Sequence, residues 1–328
     1  MGEPDDWTTY LAIRAAWLSF VGGCTQGEIA SRLDISPAKV HRLIAYAQRA
    51  GHIRFHIEGR PLECLEYEET FARAFGLNHC IVAPDLGTGV QDEGAAIRSV
   101  GAAAGNLLAQ VLASSGIRQI GVGMGRTLKA AVAAMPRISR EDLSIVSISG
   151  SLTSRLSANP YDVVQLLAER SGGEGYYLPV PYLATTVAEK EMFLQQPSVQ
   201  ELLARARRSD TFVVGIGSIS DDGHLRRMNL ISRDEQRALQ KLGAVGDLMG
   251  RFIDIDGAAV PAVLSEQAVG LGFEEVRGAR VLALSGGVSK TAATLSALRT
   301  GVITDLVIDE ALAKSLASEI GAKTPQPA

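Results

Sequence analysis

The sequence predicts an α/β chain in two parts, on three observations. Short Val- and Ile-rich runs alternate with helical patterns along most of the length, which reads as a mostly parallel, Rossmann-like sheet with helices on both faces. Aromatic residues are only 5% while apolar residues make up 46%, a balance that favours helices on buried strands over an all-β sandwich. The first sixty or so residues lack this rhythm and carry the start and stop signals of a helix-turn-helix. The 328 residues give length for about two domains. We place them at 1–58 and 59–328.

In the head, residues 10–21 show an apolar stripe at Leu11, Trp17, Leu18 and Val21, so a first helix is expected there, ended by Gly22-Gly23. Thr25-Gln26-Gly27-Glu28 has the form of a capping box: the Thr25 side chain caps the N–H three residues on and Glu28 reaches back. The helix it opens turns Ile29 and Leu33 to one side and stops at Asp34-Ile35. Ser36 is the next cap, with Pro37 at the first helical position, where a missing N–H costs nothing. The third helix runs to about Ala50, with Val40, Leu43, Ile44 and Ala47 facing inward and Gly51 as its stop. Ala30 lies where the two short helices cross, and its small side chain permits close approach. Asp34 stands where such turns often carry Gly; Asp tolerates a left-handed backbone better than most residues. Residues 52–57 alternate polar and apolar and are expected to form a short strand or wing.

Charge separates head from body. From Trp7 to Arg60 there are seven Lys or Arg against three acids, a balance of +4, so the rest of this −4 chain carries −8. A basic end on an acidic body suggests a polyanion-binding head. The first exposed turns of the third helix offer Pro37, Ala38, Lys39, His41 and Arg42. Arg and Lys donate to guanine edges or phosphates, and Ala and Pro meet a thymine methyl. Arg49 and Arg54 are assigned to phosphates; Thr25, Gln26 and Ser36, at the two helix starts, complete the candidate DNA-binding set. The plain alternative is a helical hairpin with no DNA role. Turn chemistry, caps and local charge together disfavour it.

In the body, strands are expected at 80–83, 119–123, 144–148, 177–180, 211–216, 280–284 and 305–308. Helices are expected at 95–114, 127–135, 162–169, 199–207, 235–242, 290–298 and 310–319. Folds of this kind bind ligands beyond the carboxyl ends of strands. Four such ends are rich in glycine or hydroxyls: 121–128, 147–151, 215–218 and 285–290. In the first, Gly123, Met124 and Gly125 run into Arg126 and Thr127 at a helix start, where backbone N–H groups and positive potential suit an anion. Ser149 lies in the second, and Gly286, Gly287 and Lys290 in the fourth. The spacing is neither the dinucleotide G-x-G-x-x-G nor a Walker loop, so no nucleotide is implied. Asp247 sits between glycines in a small, apolar stretch, where an acid needs a polar partner: sugar hydroxyls, a helix cap or Arg251.

Other classes recede. Cys24, Cys64 and Cys80 are odd in number and form no CxxC pair, so neither a disulfide framework nor a zinc site is indicated, and no cofactor or metal is expected. The acidic start with Arg14 behind it is not a secretory signal, and Asp6 breaks the myristoylation pattern. No stretch approaches a transmembrane span, so a reducing cytoplasm and no membrane partner are expected.

With these residues in place, the chain resembles the bacterial SorC/DeoR-type sugar-binding transcriptional regulators. The resemblance covers nearly the whole length and is carried most specifically by 123–128, 243–254, 286–301 and 307–311. It implies a winged-helix-like DNA-binding head and an effector domain similar to sugar-phosphate isomerases and deaminases. It implies that the loop with Gly123, Gly125, Arg126 and Thr127, together with Gly286 and Lys290, holds the effector's phosphate or equivalent polar end, while Asp247 meets the sugar end. Assembly as a dimer or homotetramer is also implied. The expected partners are double-stranded operator DNA, a small sugar, sugar phosphate or polyol, and further copies of the chain. The alternative is a sugar-phosphate isomerase or deaminase, for which Asp247 is the single credible base and lacks an obvious second group. A pure scaffold has no need of anion-ready helix starts.

Overall fold

A computed structural model describes residues 6–53, 59–87, 92–151 and 162–322. The chain divides into two compact units, Met1–Gly59 and Arg60–Ala328.

In the first unit, α1 (Asp6–Ala16) is followed by a π turn, Trp17–Val21, then α2 (Gln26–Leu33) and α3 (Pro37–Arg49). The capping box forms as expected: Glu28 N–H donates to Thr25 Oγ1 at 3.3 Å and Thr25 N–H to Glu28 Oε2 at 2.8 Å. Asp34 takes the left-handed conformation (φ 52°) and Ser36 Oγ accepts from Lys39 N–H at 3.3 Å. Leu11, Ala12, Ala15, Ile29, Ala30, Val40, Leu43 and Ala47 form the small core. This is a helix-turn-helix. The expected stripe of the first helix needs correction. The wider π turn shifts the register after Ala16, leaving Trp17 and Val21 63% and 69% exposed, and the inner face is built on alanines instead. Of the expected wing, residues 54–58, Arg54 among them, lie outside the described residues.

The second unit opens with α4 (Leu62–Phe75), an element outside the expected set, then β1 (His79–Ala83) and α5 (Glu93–Ala113). It continues through β2 (Gln119–Val122), α6 (Arg126–Ala134), β3 (Ser144–Ser147), α7 (Val163–Ser171), β4 (Glu174–Tyr176), α8 (Val187–Leu194) and α9 (Pro197–Arg207). Then follow β5 (Thr211–Ser218), α10 (His224–Arg227), α11 (Arg233–Lys241), β6 (Gly246–Leu248), β7 (Arg251–Ile253) and α12 (Val263–Gln267). The last elements are β8 (Arg280–Leu284), α13 (Thr291–Arg299), β9 (Asp305–Asp309) and α14 (Glu310–Glu319). The parallel strands are ordered β1-β9-β8-β5-β2-β3-β4, and β6–β7 adds antiparallel to the end of β5. Helices α5, α6 and α7 supply the apolar layer on one face, with Leu108, Leu128 and Leu167; α4, α9, α13 and α14 supply the other, with Phe71, Leu203, Leu298 and Leu316. That is the doubly wound arrangement the strand–helix alternation predicts.

Two further expectations give way. The strand expected at 177–180 lies earlier, at Glu174–Tyr176, where Gly175 opposes Ile145; Pro179 brings no N–H to a ladder. The second concerns α5, which is long and apolar enough to cross a membrane by length and composition. Half of that stretch is buried in the unit, and α6 packs so closely that a Cβ on Gly105 would lie 2.7 Å from the Ala131 carbonyl oxygen. It is the core helix of a sheet layer.

Candidate functional site

The winding reverses between β2 and β5. From β2 the chain steps outward through β3 and β4; from β5 it steps the other way through β8 and β9. Loops leaving neighbouring strands at such a reversal diverge and leave a crevice beyond the carboxyl ends. A cavity lies there, offering about 100 Å³ to the centres of water molecules, several times what one water needs.

One wall is the β2–α6 loop. Gly123 N–H donates to the Val213 carbonyl at 2.8 Å, tying the loop to β5. Gly125, at φ 138°, makes a turn that L side chains rarely adopt, so that α6 begins at the cavity with Arg126 and Thr127. The N–H groups of a helix's first turn have no carbonyl within the helix, which gives its start a positive potential. The opposite wall is the overhanging end of β5, Val214–Ser218, paired with the β6–β7 hairpin so that Gly217 opposes Asp247. The hairpin closes in two residues, Met249 (φ 52°) and Gly250 (φ 74°), both left-handed as a type I′ turn requires. Met249 holds that conformation without being glycine, and its side chain lines the cavity.

The cavity has two chemically distinct ends. At one, half-buried Asp247 accepts a long hydrogen bond from the Tyr182 hydroxyl, 3.3 Å to Oδ2. Burial raises the Asp247 pKa to about 6, opposed by the Tyr182 hydrogen bond and by Arg251. At the other, the Glu93 carboxylate from the first turn of α5 is gripped by Arg126 (2.6 and 3.3 Å) and by Arg227 (3.0 Å). Burial pushes the Glu93 carboxyl up, but Arg126, Arg227 and Lys290 together hold it below its ordinary value. The Lys290 ammonium donates to the Ile216 carbonyl at 2.9 Å. Its pKa falls to about 8, first through burial and then through Arg126. Burial, then Arg126 and Lys290, lower His224 to about 4, so its imidazole is neutral near pH 7.

Most of the residues expected from the sequence converge here. Gly123, Met124, Gly125, Arg126, Thr127, Ser149, Asp247 and Lys290 all border this one cavity. Gly286 and Gly287 do not. Gly287 N–H donates to Asp309 Oδ1 at 2.6 Å, and Asp309 also caps α14, so the glycine pair fastens the β8 loop to the end of β9 while Ser289 and Lys290 reach the cavity. Glu93, Tyr182, His224 and Met249 join the site without a sequence signal. Glu93, Tyr182 and His224 lie in stretches without a motif and are brought in by long-range topology, while Met249 lies in the 243–254 stretch but has no signal of its own there. In the first unit, Thr25, Gln26, Ser36, Pro37, Ala38, Lys39, His41, Arg42 and Arg49 are all exposed. Lys39, Arg42 and Arg49 follow at i, i+3 and i+10, one face of α3.

The Sugar-bind family model, a sugar-binding domain, matches residues 59–318. The chain is similar to the erythritol catabolism regulatory protein EryD of Brucella abortus, 36% identical over 323 residues, covering 98% of this chain and 100% of that one. It is also similar to the transcriptional regulator LsrR of Escherichia coli K12, 31% identical over 307 residues, with 92% and 93% covered. The chain belongs to the SorC-type sugar-binding transcriptional regulators. In fold the regulator is similar to full-length SorC, the sorbitol operon regulator of Klebsiella pneumoniae (TM-score 0.69, 24% identity, 94% of this chain and 98% of that one covered). A DeoR-family regulator from Listeria monocytogenes gives the same TM-score of 0.69 at 23% identity, with 77% and 99% covered. The regulator therefore binds DNA and a sugar-type effector, and the isomerase or deaminase alternative gives way to transcriptional control.

Proposed function

We propose that α3 enters the major groove of operator DNA and that the cavity between β2 and β5 holds the effector. Lys39, His41 and Arg42, with Pro37 and Ala38, face base edges and phosphates; Thr25, Gln26, Ser36 and Arg49 meet the backbone. In the cavity, ligand hydroxyls donate to Asp247, while the polar end meets the start of α6 and Lys290. Ser149 and Gly286-Gly287 belong to the same loop system. Residues 1–58 form the DNA-binding domain and 59–328 the effector and oligomerisation domain. The regulator acts in the cytoplasm as a dimer or homotetramer, since a helix-turn-helix reads paired half-sites.

The observation that carries this reading is the convergence of Arg126, Lys290 and Asp247 on one crevice at the winding reversal. The effector is a small sugar, sugar phosphate or polyol. Tetritols come first for trial, because the relative EryD is named for erythritol catabolism. Effector binding alters operator affinity by the ligand's difference in affinity between the DNA-competent and other arrangements. The test pairs thermal-shift screening of tetritols, pentoses, hexoses and their phosphates with gel shifts on the DNA upstream of the gene. A carbohydrate that raises the melting temperature and changes the gel shift is expected. Stabilisation that survives both Asp247→Ala and Lys290→Ala places the effector elsewhere.

A further inference from the structure

The charges around the cavity decide more than its location. Arg126 stands at the start of α6, Lys290 faces it from the β8 loop, and Arg227 reaches in from α10. Three cations beside a helix start are what a phosphate monoester requires. In this chain Arg126 and Arg227 grip a carboxylate that the protein itself supplies, while the Lys290 ammonium, bound to the Ile216 carbonyl, adds to the field that holds it ionised. Glu93 takes both Arg126 nitrogens, Nη2 at 2.6 Å and Nη1 at 3.3 Å, and Arg227 Nη2 at 3.0 Å. Its side chain is only 25% exposed and that of Arg126 24%.

We propose that Glu93 is a resident carboxylate occupying the anion subsite of the effector cavity, and that it sets the specificity for ligands without a phosphate. The inference rests on the effector reading above and adds the ligand class. The charge balance supports it. Among the described residues at this cavity, Arg126, Lys290 and the neighbouring Arg227 stand against Glu93, Asp222 and Asp247, so the cations at the α6 start already have carboxylates of the protein's own beside them. The position of Glu93 is not a free one either. It lies in the first turn of a 21-residue helix whose start is fixed by Asp92 Oδ1 accepting from Ala95 N–H at 2.9 Å. A phosphate entering this end would have to break both arginine contacts and leave a half-buried carboxylate beside it, a like-charge juxtaposition that works as discrimination. A hydroxyl-bearing ligand meets no such penalty. Its donors find Asp247 and the Glu93 oxygens, and its oxygens find Lys290 and the α6 start.

The test measures binding of erythritol, erythritol 4-phosphate and inorganic phosphate by calorimetry to wild type, Glu93→Gln, Glu93→Ala and the double variant Glu93→Gln with Arg126→Ala. Wild type is expected to prefer erythritol to its phosphate at least tenfold and to ignore inorganic phosphate. Glu93→Gln, similar in shape but uncharged, is expected to gain phosphate affinity at least tenfold, and the added Arg126→Ala to cancel the gain. Thermal melts of the unliganded variants confirm folding, and Glu93→Ala serves if the amide variant does not fold. Wild type binding erythritol 4-phosphate as well as erythritol overturns the proposal and leaves the effector reading standing. Failure of both Glu93 variants to gain phosphate affinity also overturns it. If no carbohydrate of the thermal-shift screen described above binds wild type but phosphate binds Glu93→Gln in an Arg126-dependent way, the subsite assignment stands and the effector reading falls.

Discussion

The DNA-reading face and the effector cavity use charge in opposite ways. On α3, Lys39, Arg42 and Arg49 are exposed and make no ion pair with the other described residues. In the cavity, Glu93, Arg126, Lys290 and Asp247 are half-buried and bound to one another, to the Tyr182 hydroxyl or to a backbone carbonyl. A solvated cation costs the fold almost nothing until DNA arrives, whereas a desolvated one costs stability throughout. Substitutions on the first surface should therefore change function alone, and substitutions in the second should move function and stability in opposite directions.

The largest expected effect breaks the first half of that comparison. Lys39→Ala combined with Arg42→Ala should weaken operator binding about a hundredfold or more, at roughly 1–3 kcal/mol for each side chain withdrawn from a base or phosphate. The melting temperature should stay within about a degree of wild type, because surface changes of this kind are nearly neutral. Gel shifts and thermal melts read the two quantities. A melting temperature lowered by many degrees would mean that these charges hold the head together.

Asp247→Asn sharpens the second half. Response to the effector should fall at least tenfold, since the Asn carboxamide offers one acceptor where the carboxylate offers two. Stability at pH 7 should nevertheless rise, on the order of 1–3 kcal/mol. The sign follows from the direction of the shift. Burial raises the Asp247 pKa from 3.8 to about 6, so between those values the unfolded chain loses a proton that the folded chain keeps. Asp247 thus favours the folded state fully below pH 4 and loses that contribution as pH rises through about 6. Urea denaturation at pH 4.5 and 7 should show this loss in wild type relative to Asp247→Asn. Equal pH dependence in the two proteins would remove Asp247 as its source.

These two regions also differ in how far the sequence betrays them. The capping box at Thr25, the Ser36 cap and Pro37 act within four residues, so their pattern is complete in the sequence. Even there the π turn at Trp17–Val21 is invisible, because hydropathy carries no mark of a one-residue change in winding. Gly123–Thr127 and Lys290 are legible as glycine-rich strand ends. Glu93 is not, since its arginine partners lie 33 and 134 positions away. Tyr182 meets Asp247 across 65 positions. The β6–β7 hairpin hides because its turn is Met249-Gly250, without the Asn-Gly or Asp-Gly signature that type I′ turns favour.

A smaller effect tests whether the head's local signals matter as much as their legibility suggests. Thr25→Ala removes the acceptor for Glu28 N–H and should cost about 1 kcal/mol. Operator affinity should fall only modestly, because α3 keeps its own cap at Ser36. Circular dichroism melts and gel shifts on the full chain separate the two. A hundredfold loss of affinity without loss of stability would make Thr25 a direct DNA contact of the first rank.

Smallest of all is Asp34→Gly, which asks whether the turn between α2 and α3 carries a chemical role or only a shape. Asp34 sits at φ 52° and ψ 50°, where a Cβ crowds the following carbonyl, and glycine removes that strain. Glycine also gives the unfolded chain more freedom to lose, an opposing effect of roughly 0.5–1 kcal/mol. The two nearly cancel, so stability should change by less than about 0.5 kcal/mol, with operator affinity rising slightly as one negative charge leaves a unit that binds a polyanion. The salt dependence distinguishes long-range repulsion from direct contact. If Asp34 shapes the turn and touches no DNA, its charge acts only at a distance, and the gain in affinity shrinks as salt rises, because repulsion between Asp34 and the phosphates is screened. A loss of affinity at every salt concentration would show instead that the Asp34 carboxylate contacts the DNA directly, and the reading face would then have to extend from α3 into the turn.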